Sequence, residues 1–175
     1  MGNPIEVLQN EHNLLKHAIS TTQKLQDIKD PDQYRFLMEK SVLFFRNFTE
    51  LYHHPKEEVM MHYVINSGRS MMSRDQLEQL VRHKEDIDLL IADVIDALYG
   101  YNERQLRHLV AQYTEELGRQ IEEEEKVLNN EGHPYFTELE SEMIYNEFLH
   151  YNSKDRLLDA IKNNYYKISN ELILN

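Results

Sequence analysis

The sequence contains no cysteine, only five glycines and four prolines, and no long run of apolar residues. Without cysteine the chain has no disulfide, no thiol nucleophile and no thiolate ligand for zinc or an iron–sulfur cluster. The most apolar stretch, residues 89–98, is interrupted by Asp93 and Asp96. It is far shorter than the roughly 20 residues that span a bilayer. No basic region leads into an apolar one at the start of the chain, so we predict no signal peptide and expect a cytoplasmic location.

Acidic residues outnumber basic ones, with 31 Asp and Glu against 19 Lys and Arg in 175 residues and a formal charge of −12. Such a surface repels phosphate backbones and anionic lipids, so neither nucleic acid nor a membrane is an expected partner. Within the acidic run at residues 122–125, Glu122 and Glu125 are expected to face solvent. The hydrophobic fraction of 41% is enough for one packed core, which predicts a single domain.

Glycine and proline occur where helices should begin, bend or end, and β-branched runs are scarce, which predicts an all-α protein. A first helix is expected over about residues 4–25. Asp30 as N-cap and Pro31 at the first helical position predict a second helix over about residues 31–65. Pro55 lies inside this helix and should bend it.

Capping boxes at residues 73–76 and 102–105 predict a third helix ending near Gly100 and a fourth ending at Gly132 and Pro134. Long helices joined by short loops favour an up-down antiparallel four-helix bundle over residues 1–134.

The remaining segment, residues 135–175, is expected to form one or two further helices broken near residues 152–153. These pack alongside the bundle, where they either close it or form a homo-oligomer interface. Apolar residues of this segment predicted to face inward are Leu157, Leu158, Ile161, Ile168 and Leu172.

Several polar side chains occupy positions on the inward stripes where helical periodicity favours apolar residues: His12, His83, Gln120 and Glu124. A buried polar group without a partner costs roughly 2–7 kcal/mol, so each is expected to be hydrogen-bonded or bound to a ligand. On the second helix His53 and Glu57 share the inward face, and the overlapping pair of His54 and Glu58 lies roughly 100° around the helix. Polar core residues on each of four helices predict a metal site inside the bundle.

Sequence features between residues 5 and 134 follow a known order: His12, the stretch His-His-Pro-Lys-Glu-Glu at residues 53–58, His83, and the fourth-helix stretch at residues 121–128. In this order they resemble the hemerythrin-like (HHE cation-binding) family. That family has the pattern His, His-x-x-x-Glu, His and a second His-x-x-x-Glu around a non-haem, usually di-iron centre in a four-helix bundle. The resemblance implies ligands at His12, His53, Glu57, His83 and Glu124, whereas the histidine expected four residues before Glu124 is Gln120.

An amide oxygen is a weaker ligand than an imidazole, so Gln120 leaves three outcomes open. The bundle binds two iron ions with Gln120 or water in place of one ligand, binds a single metal ion, or binds no metal. Glu116, one turn before Gln120, is a substitute ligand that would favour a harder ion such as manganese, and zinc is a further alternative. His54 and Glu58 are the alternative to His53 and Glu57.

The resemblance implies a metal-binding protein that senses O2, NO or redox state, handles iron, or takes part in stress defence. Binding or sensing is favoured over turnover, because the sequence has no separate substrate domain and no cysteine to shuttle electrons. One alternative is a di-iron oxidoreductase acting on peroxide or NO, or an iron donor for cluster repair. The other is a metal-free interaction module whose site has decayed at Gln120.

Overall fold

The computed structural model describes residues 2–70, 72–100, 102–128, 136–152, 159–163, 165–167 and 170. Over these ranges the chain is helical and contains no β-strand, which confirms the predicted all-α class. The helices are α1 (Pro4–Leu25), α2 (Pro31–Phe48), α3 (His54–Ser67), α4 (Arg74–Tyr99), α5 (Glu103–Leu128) and α6 (Glu138–Asn152), with a π-helical turn (Thr49–His53) between α2 and α3. Outside the described residues lie several positions with predicted roles: Gly132, Pro134, Leu157, Leu158, Ile168 and Leu172.

Helix starts follow the capping residues predicted from the sequence. The Asp30 side chain accepts a hydrogen bond of 2.8 Å from the backbone N–H of Gln33, and Pro31 is the first residue of α2. At α4, Ser73 Oγ accepts from the Gln76 N–H at 3.2 Å and Gln76 Oε1 accepts from the Ser73 N–H at 2.9 Å. Each cap satisfies backbone donors that the first helical turn leaves free, which stabilises a helix by about 0.5–2 kcal/mol.

A π-helical turn lies just before Pro55, where the sequence predicts a bend. Proline has no N–H, and its ring crowds the carbonyl of the residue four positions earlier, here Leu51. The backbone N–H of His54 bonds the carbonyl of Thr49, five residues back, as in a π-helix. The chain therefore passes from α2 to α3 without a loop, and the inward stripe continues through Thr49, His53 and Glu57, all of which are buried.

The continuous α2–α3 segment packs with α1, α4 and α5 as a four-helix bundle. Its buried apolar residues form two clusters, one containing Leu15, Phe45, Ile87 and Leu117 and the other containing Leu8, Met60, Leu80 and Val127. Along α1, α3, α4 and α5 the positions between these clusters carry buried polar side chains: His12, Glu57, Lys84, Gln120 and Glu124. A polar layer thus crosses the middle of an otherwise apolar core.

Residues from the C-terminal part of the chain pack on the bundle. Helix α6 contacts α1 and α3 and buries Ile144 and Phe148 in the cluster around Met60. Ile161 is buried as predicted, and the Tyr165 hydroxyl donates a hydrogen bond of 2.8 Å to Thr21 Oγ1 on α1. Of the helices within the described ranges, none is long and apolar enough to cross a membrane.

Candidate metal centre

Four buried side chains of the polar layer bring potential metal ligands together. His12 comes from α1, His53 from the end of the π-helical turn, Glu57 from α3 and Glu124 from α5. One donor atom from each lies within 4.8 Å of those of the other three. The group contains two imidazoles and two carboxylates, a donor set that suits a first-row transition metal.

Glu57 contacts both histidines of this group. Its Oε1 lies 2.7 Å from His53 Nε2 and 3.3 Å from His12 Nε2. Glu124 approaches from the other side, with Oε2 at 3.5 Å from His12 Nε2. Both histidines therefore direct Nε2 inward, and their ring centroids are 5.0 Å apart.

The close packing shifts the proton affinities of these groups. Burial alone would raise the pKa of Glu57, but His53 and His12 outweigh it and hold that pKa well below its usual value. Burial, together with the charge of Glu57, raises the pKa of Glu124 to about 8. Burial alone would lower the pKa of His53, but Glu57 and Glu11 raise it to about 10. Without a metal the centre therefore retains protons between its carboxylates and imidazoles, and a cation that binds there must displace them.

Gln120 occupies the position at which the sequence resemblance implies a histidine. Its Nε2 donates a hydrogen bond of 3.3 Å to the carbonyl of Leu80 and another to Glu124 Oε1. Two buried oxygens of this pair, Oε1 of Gln120 and Oε2 of Glu124, have no hydrogen-bond partner among the described residues. A buried unsatisfied oxygen costs about 1–3 kcal/mol, and such oxygens are ligands for a cation. The residues present therefore fit a metal ion.

His83 does not join the group. Its side chain is 18% exposed in the groove between α4 and α5, with Nε2 at 3.4 Å from Glu116 Oε2. Arg119 Nη2 lies 2.8 Å from the same nitrogen and 2.7 Å from Glu116 Oε2. The prediction that His83 faces inward is therefore wrong, and Glu116 is engaged with Arg119 and not with the centre.

The inward position on α4 belongs to Lys84, the next residue. Both positions 83 and 84 lie about one turn from Leu80 and from Ile87, because a helix has 3.6 residues per turn. Lys84 is buried, and its Nζ lies 2.5 Å from Glu58 Oε1 on α3. The sequence stripe could not distinguish the two positions, and the contact with α3 is what favours Lys84.

The alternative pair, His54 and Glu58, lies outside the four-residue group. His54 is buried, with Nδ1 at 3.1 Å from Asp88 Oδ1 on α4, whereas Glu58 is exposed. The structure thus brings His53 and Glu57 to the centre.

Sequence reasoning missed three charged residues next to the centre. Glu11 and Lys56 are buried and form an ion pair, and Glu11 Oε2 lies 3.1 Å from His53 Nδ1. Glu125 was expected to face solvent, but it is half-buried and binds Lys16 Nζ with both carboxylate oxygens. Glu11 and Lys56 are 45 residues apart, so no local pattern could reveal their pairing.

Residues 3–131 match the hemerythrin HHE cation-binding domain. The match covers more than half of the chain, and the protein therefore belongs to the hemerythrin HHE cation-binding family. No curated protein and no solved structure matches the chain. Family membership and the buried group of His and Glu together make this a hemerythrin-like domain with a centre compatible with metal binding.

Proposed function

We propose that this protein binds a non-haem iron ion through His12, His53, Glu57 and Glu124 and uses it to bind or sense O2, NO or redox state. The observation that carries the proposal is the convergence of four buried donor atoms from three segments of the bundle within 4.8 Å. Imidazole and carboxylate suit iron, and without cysteine the chain offers no thiolate to recruit a softer metal.

The residues that surround the four donors favour one bound ion over two. The family pattern has two further histidines, which correspond to one position on α4 and one on α5. In this chain the inward residue on α4 is Lys84, and the residue on α5 is Gln120. Lys84, Gln120 and Glu124 line the same small cavity next to the centre. The Lys84 ammonium group is paired with Glu58 and has no lone pair to offer a cation, and Gln120 offers only a neutral oxygen, so this side of the centre is poor in ligands for a second ion.

The size of this cavity favours a small ligand. It has a volume of about 10 Å³ and is bordered by Glu57, Gln120 and Glu124. That volume corresponds to about one water molecule. A bound ferrous ion with an open coordination position would bind diatomic ligands such as O2 and NO. The chain itself supplies the ligands, and apolar clusters lie on both sides of the polar layer that contains them.

The first test is the iron content of protein loaded anaerobically with ferrous iron, measured by inductively coupled plasma mass spectrometry. We expect about one iron per chain in the wild type, loss of iron in His53→Ala and retention in His83→Ala. The two variants remove the same side chain, one inside the group and one outside it.

Two irons per chain, with loss in both variants, would contradict the one-ion proposal and support the ligand set implied by the sequence resemblance. No iron in the wild type would contradict iron binding and favour a metal-free interaction module. Repeated turnover of peroxide or NO by the iron-loaded protein would favour the oxidoreductase alternative over binding or sensing.

A further inference from the structure

Each histidine of the centre has a glutamate near its Nδ1 atom, on the side of the ring away from Glu57. Each of these glutamates forms an ion pair with a lysine. Behind His53, Nδ1 lies 3.1 Å from Glu11 Oε2, and Glu11 Oε1 accepts a hydrogen bond from Lys56 Nζ. All three residues are buried, and the exposed fraction of the Lys56 side chain is 1%.

A looser version of the same arrangement lies behind His12. His12 Nδ1 is 3.7 Å from Glu125 Oε1, and both oxygens of Glu125 accept from Lys16 Nζ, at 2.7 and 2.6 Å. Side chains of this pair are more exposed, at 24% for Glu125 and 42% for Lys16. His12 Nδ1 has no hydrogen-bond partner among the described residues, so Glu125 acts on His12 by its charge alone, whereas Glu11 is hydrogen-bonded to His53.

The hydrogen bond between His53 Nδ1 and Glu11 fixes which nitrogen of the His53 ring faces the centre. A carboxylate has no proton to donate, so the imidazole nitrogen beside it is the one that carries hydrogen. In both rings the opposite nitrogen, Nε2, faces Glu57, so a cation that displaces the proton between Nε2 and this carboxylate takes Nε2 as its ligand while Nδ1 keeps its hydrogen. Hydrogen bonds of this kind orient metal-bound histidines and raise their basicity.

Stability alone does not account for the buried pair of Glu11 and Lys56. Removing two charges from water costs several kcal/mol per ion, and apolar residues of the same volume are often as stabilising. The pair lies directly behind a candidate ligand and includes the carboxylate that contacts it, which favours a role at the centre.

We propose that Glu11 is a positioning residue, held by Lys56, that keeps a proton of His53 on Nδ1 and presents Nε2 to the metal, and that Glu125, held by Lys16, favours the same orientation of His12 through its charge alone. This inference rests on the proposed metal site. The hydrogen-bond distance and deeper burial at Glu11 make its contribution the larger of the two.

The test is zinc affinity, measured by competition with a chelator, together with nitrogen-15 NMR of the histidine rings in zinc-loaded protein. Zinc is diamagnetic and accepts the same imidazole and carboxylate donors. We expect Glu11→Gln to weaken zinc binding by about 10–100-fold, and Glu125→Gln to weaken it less. Glu122→Gln, which removes an exposed carboxylate from the same acidic run, should leave affinity unchanged.

The ring spectra separate positioning from a general loss of stability. In the wild type, His53 should show a protonated Nδ1 and a zinc-bound Nε2, and in Glu11→Gln the Nδ1 signal should shift. If Lys56 acts through Glu11, Lys56→Met should weaken zinc binding in the wild type but add little in the Glu11→Gln background.

Failures of the two proposals are distinguishable. A wild type that binds neither iron nor zinc overturns the proposed function and this inference together. A wild type that binds zinc while Glu11→Gln and Glu125→Gln bind it equally well, with unchanged ring signals, overturns this inference alone. Should Glu11→Gln fail to fold, Glu125→Gln and Lys16→Met test the same arrangement at half-exposed positions.

Discussion

His53 Nε2 lies 2.7 Å from Glu57 Oε1, one helical turn further along the chain, and both side chains are buried. The two residues belong to different elements, since His53 ends the π-helical turn and Glu57 lies in α3. Irregular turns of this kind are frequent at functional sites. Here the turn joins α2 to α3 without a loop and leaves both residues on the inward face.

Replacement of Gln120 by histidine tests whether this residue alone limits the number of metal ions. We expect Gln120→His to remain at about one iron per chain, because Lys84 still occupies the inward position on α4 and supplies no ligand. Iron content after anaerobic loading is the measurement, with Gln120→Leu as a control that removes the amide without adding an imidazole. Two irons per chain in Gln120→His would show that the glutamine is the deciding difference.

Stability of the metal-free protein should fall as pH rises from about 6.5 to 8. The pKa of Glu124 is raised from 4.5 to about 8 in the folded state, and that of His53 from 6.5 to about 10. In this window the folded state holds protons that the unfolded chain has released, so each group lowers stability by up to about 1.4 kcal/mol per pH unit.

Thermal unfolding across that pH range, in the presence of a chelator, measures the effect. Glu124→Gln should flatten the dependence, because it removes one of the groups of the centre whose pKa is raised on folding, which also include His12 and His53. A wild-type stability that stays constant or increases between these pH values contradicts the prediction.

Tyr165 tests how firmly the C-terminal residues are packed. It is 1% exposed, its ring lies 4.5 Å from that of Phe44, and its hydroxyl bonds Thr21. We expect Tyr165→Ala to lower the free energy of unfolding by about 3–5 kcal/mol, as for other buried aromatic residues. The neighbouring Tyr166 is 48% exposed, so Tyr166→Ala should change it by no more than about 0.5 kcal/mol. Urea unfolding compares the two, and equal effects would argue against this packing.

A capping box formed by Thr137 and Glu140, which the sequence analysis did not predict, begins α6. The Glu140 carboxylate accepts from the Thr137 N–H at 2.6 Å, and the Glu140 N–H donates to Thr137 Oγ1 at 3.2 Å. Arg69 Nη1 bonds the same carboxylate at 2.8 Å. The hydrogen bonds from Arg69 and then Thr137 lower the pKa of Glu140 to about 2.

Stabilisation by Glu140 is therefore complete above its ordinary pKa of 4.5 and is lost as pH falls through 2. Glu140→Gln should destabilise the protein near neutral pH and have little effect near pH 2, as measured by urea unfolding at both pH values. Glu142→Gln, an exposed change on the same helix, is the control. An effect of Glu140→Gln that does not depend on pH would contradict the assignment.

Local signals predicted most of the fold. The bounds of α1 and the starts of α2 and α4 follow from capping residues and prolines within a few positions of each helix end. His12, His53, Glu57 and Glu124 were found because each interrupts an apolar stripe. His83 and Lys84 could not be separated, since both are one turn from the same apolar neighbours. Glu125 could not be recognised because its partner, Lys16, lies on another helix.

Helix α4 contributes none of the four clustered donors. An ion held by the other three segments would crosslink α1, α3 and α5, while α4 would depend on its packing and on the contact from Lys84 to Glu58. The stability gained from a bound metal is then distributed unevenly. Amide hydrogen exchange should slow on metal addition around His12, Glu57 and Glu124 and change least along α4, so α4 would gain the least protection from the ion.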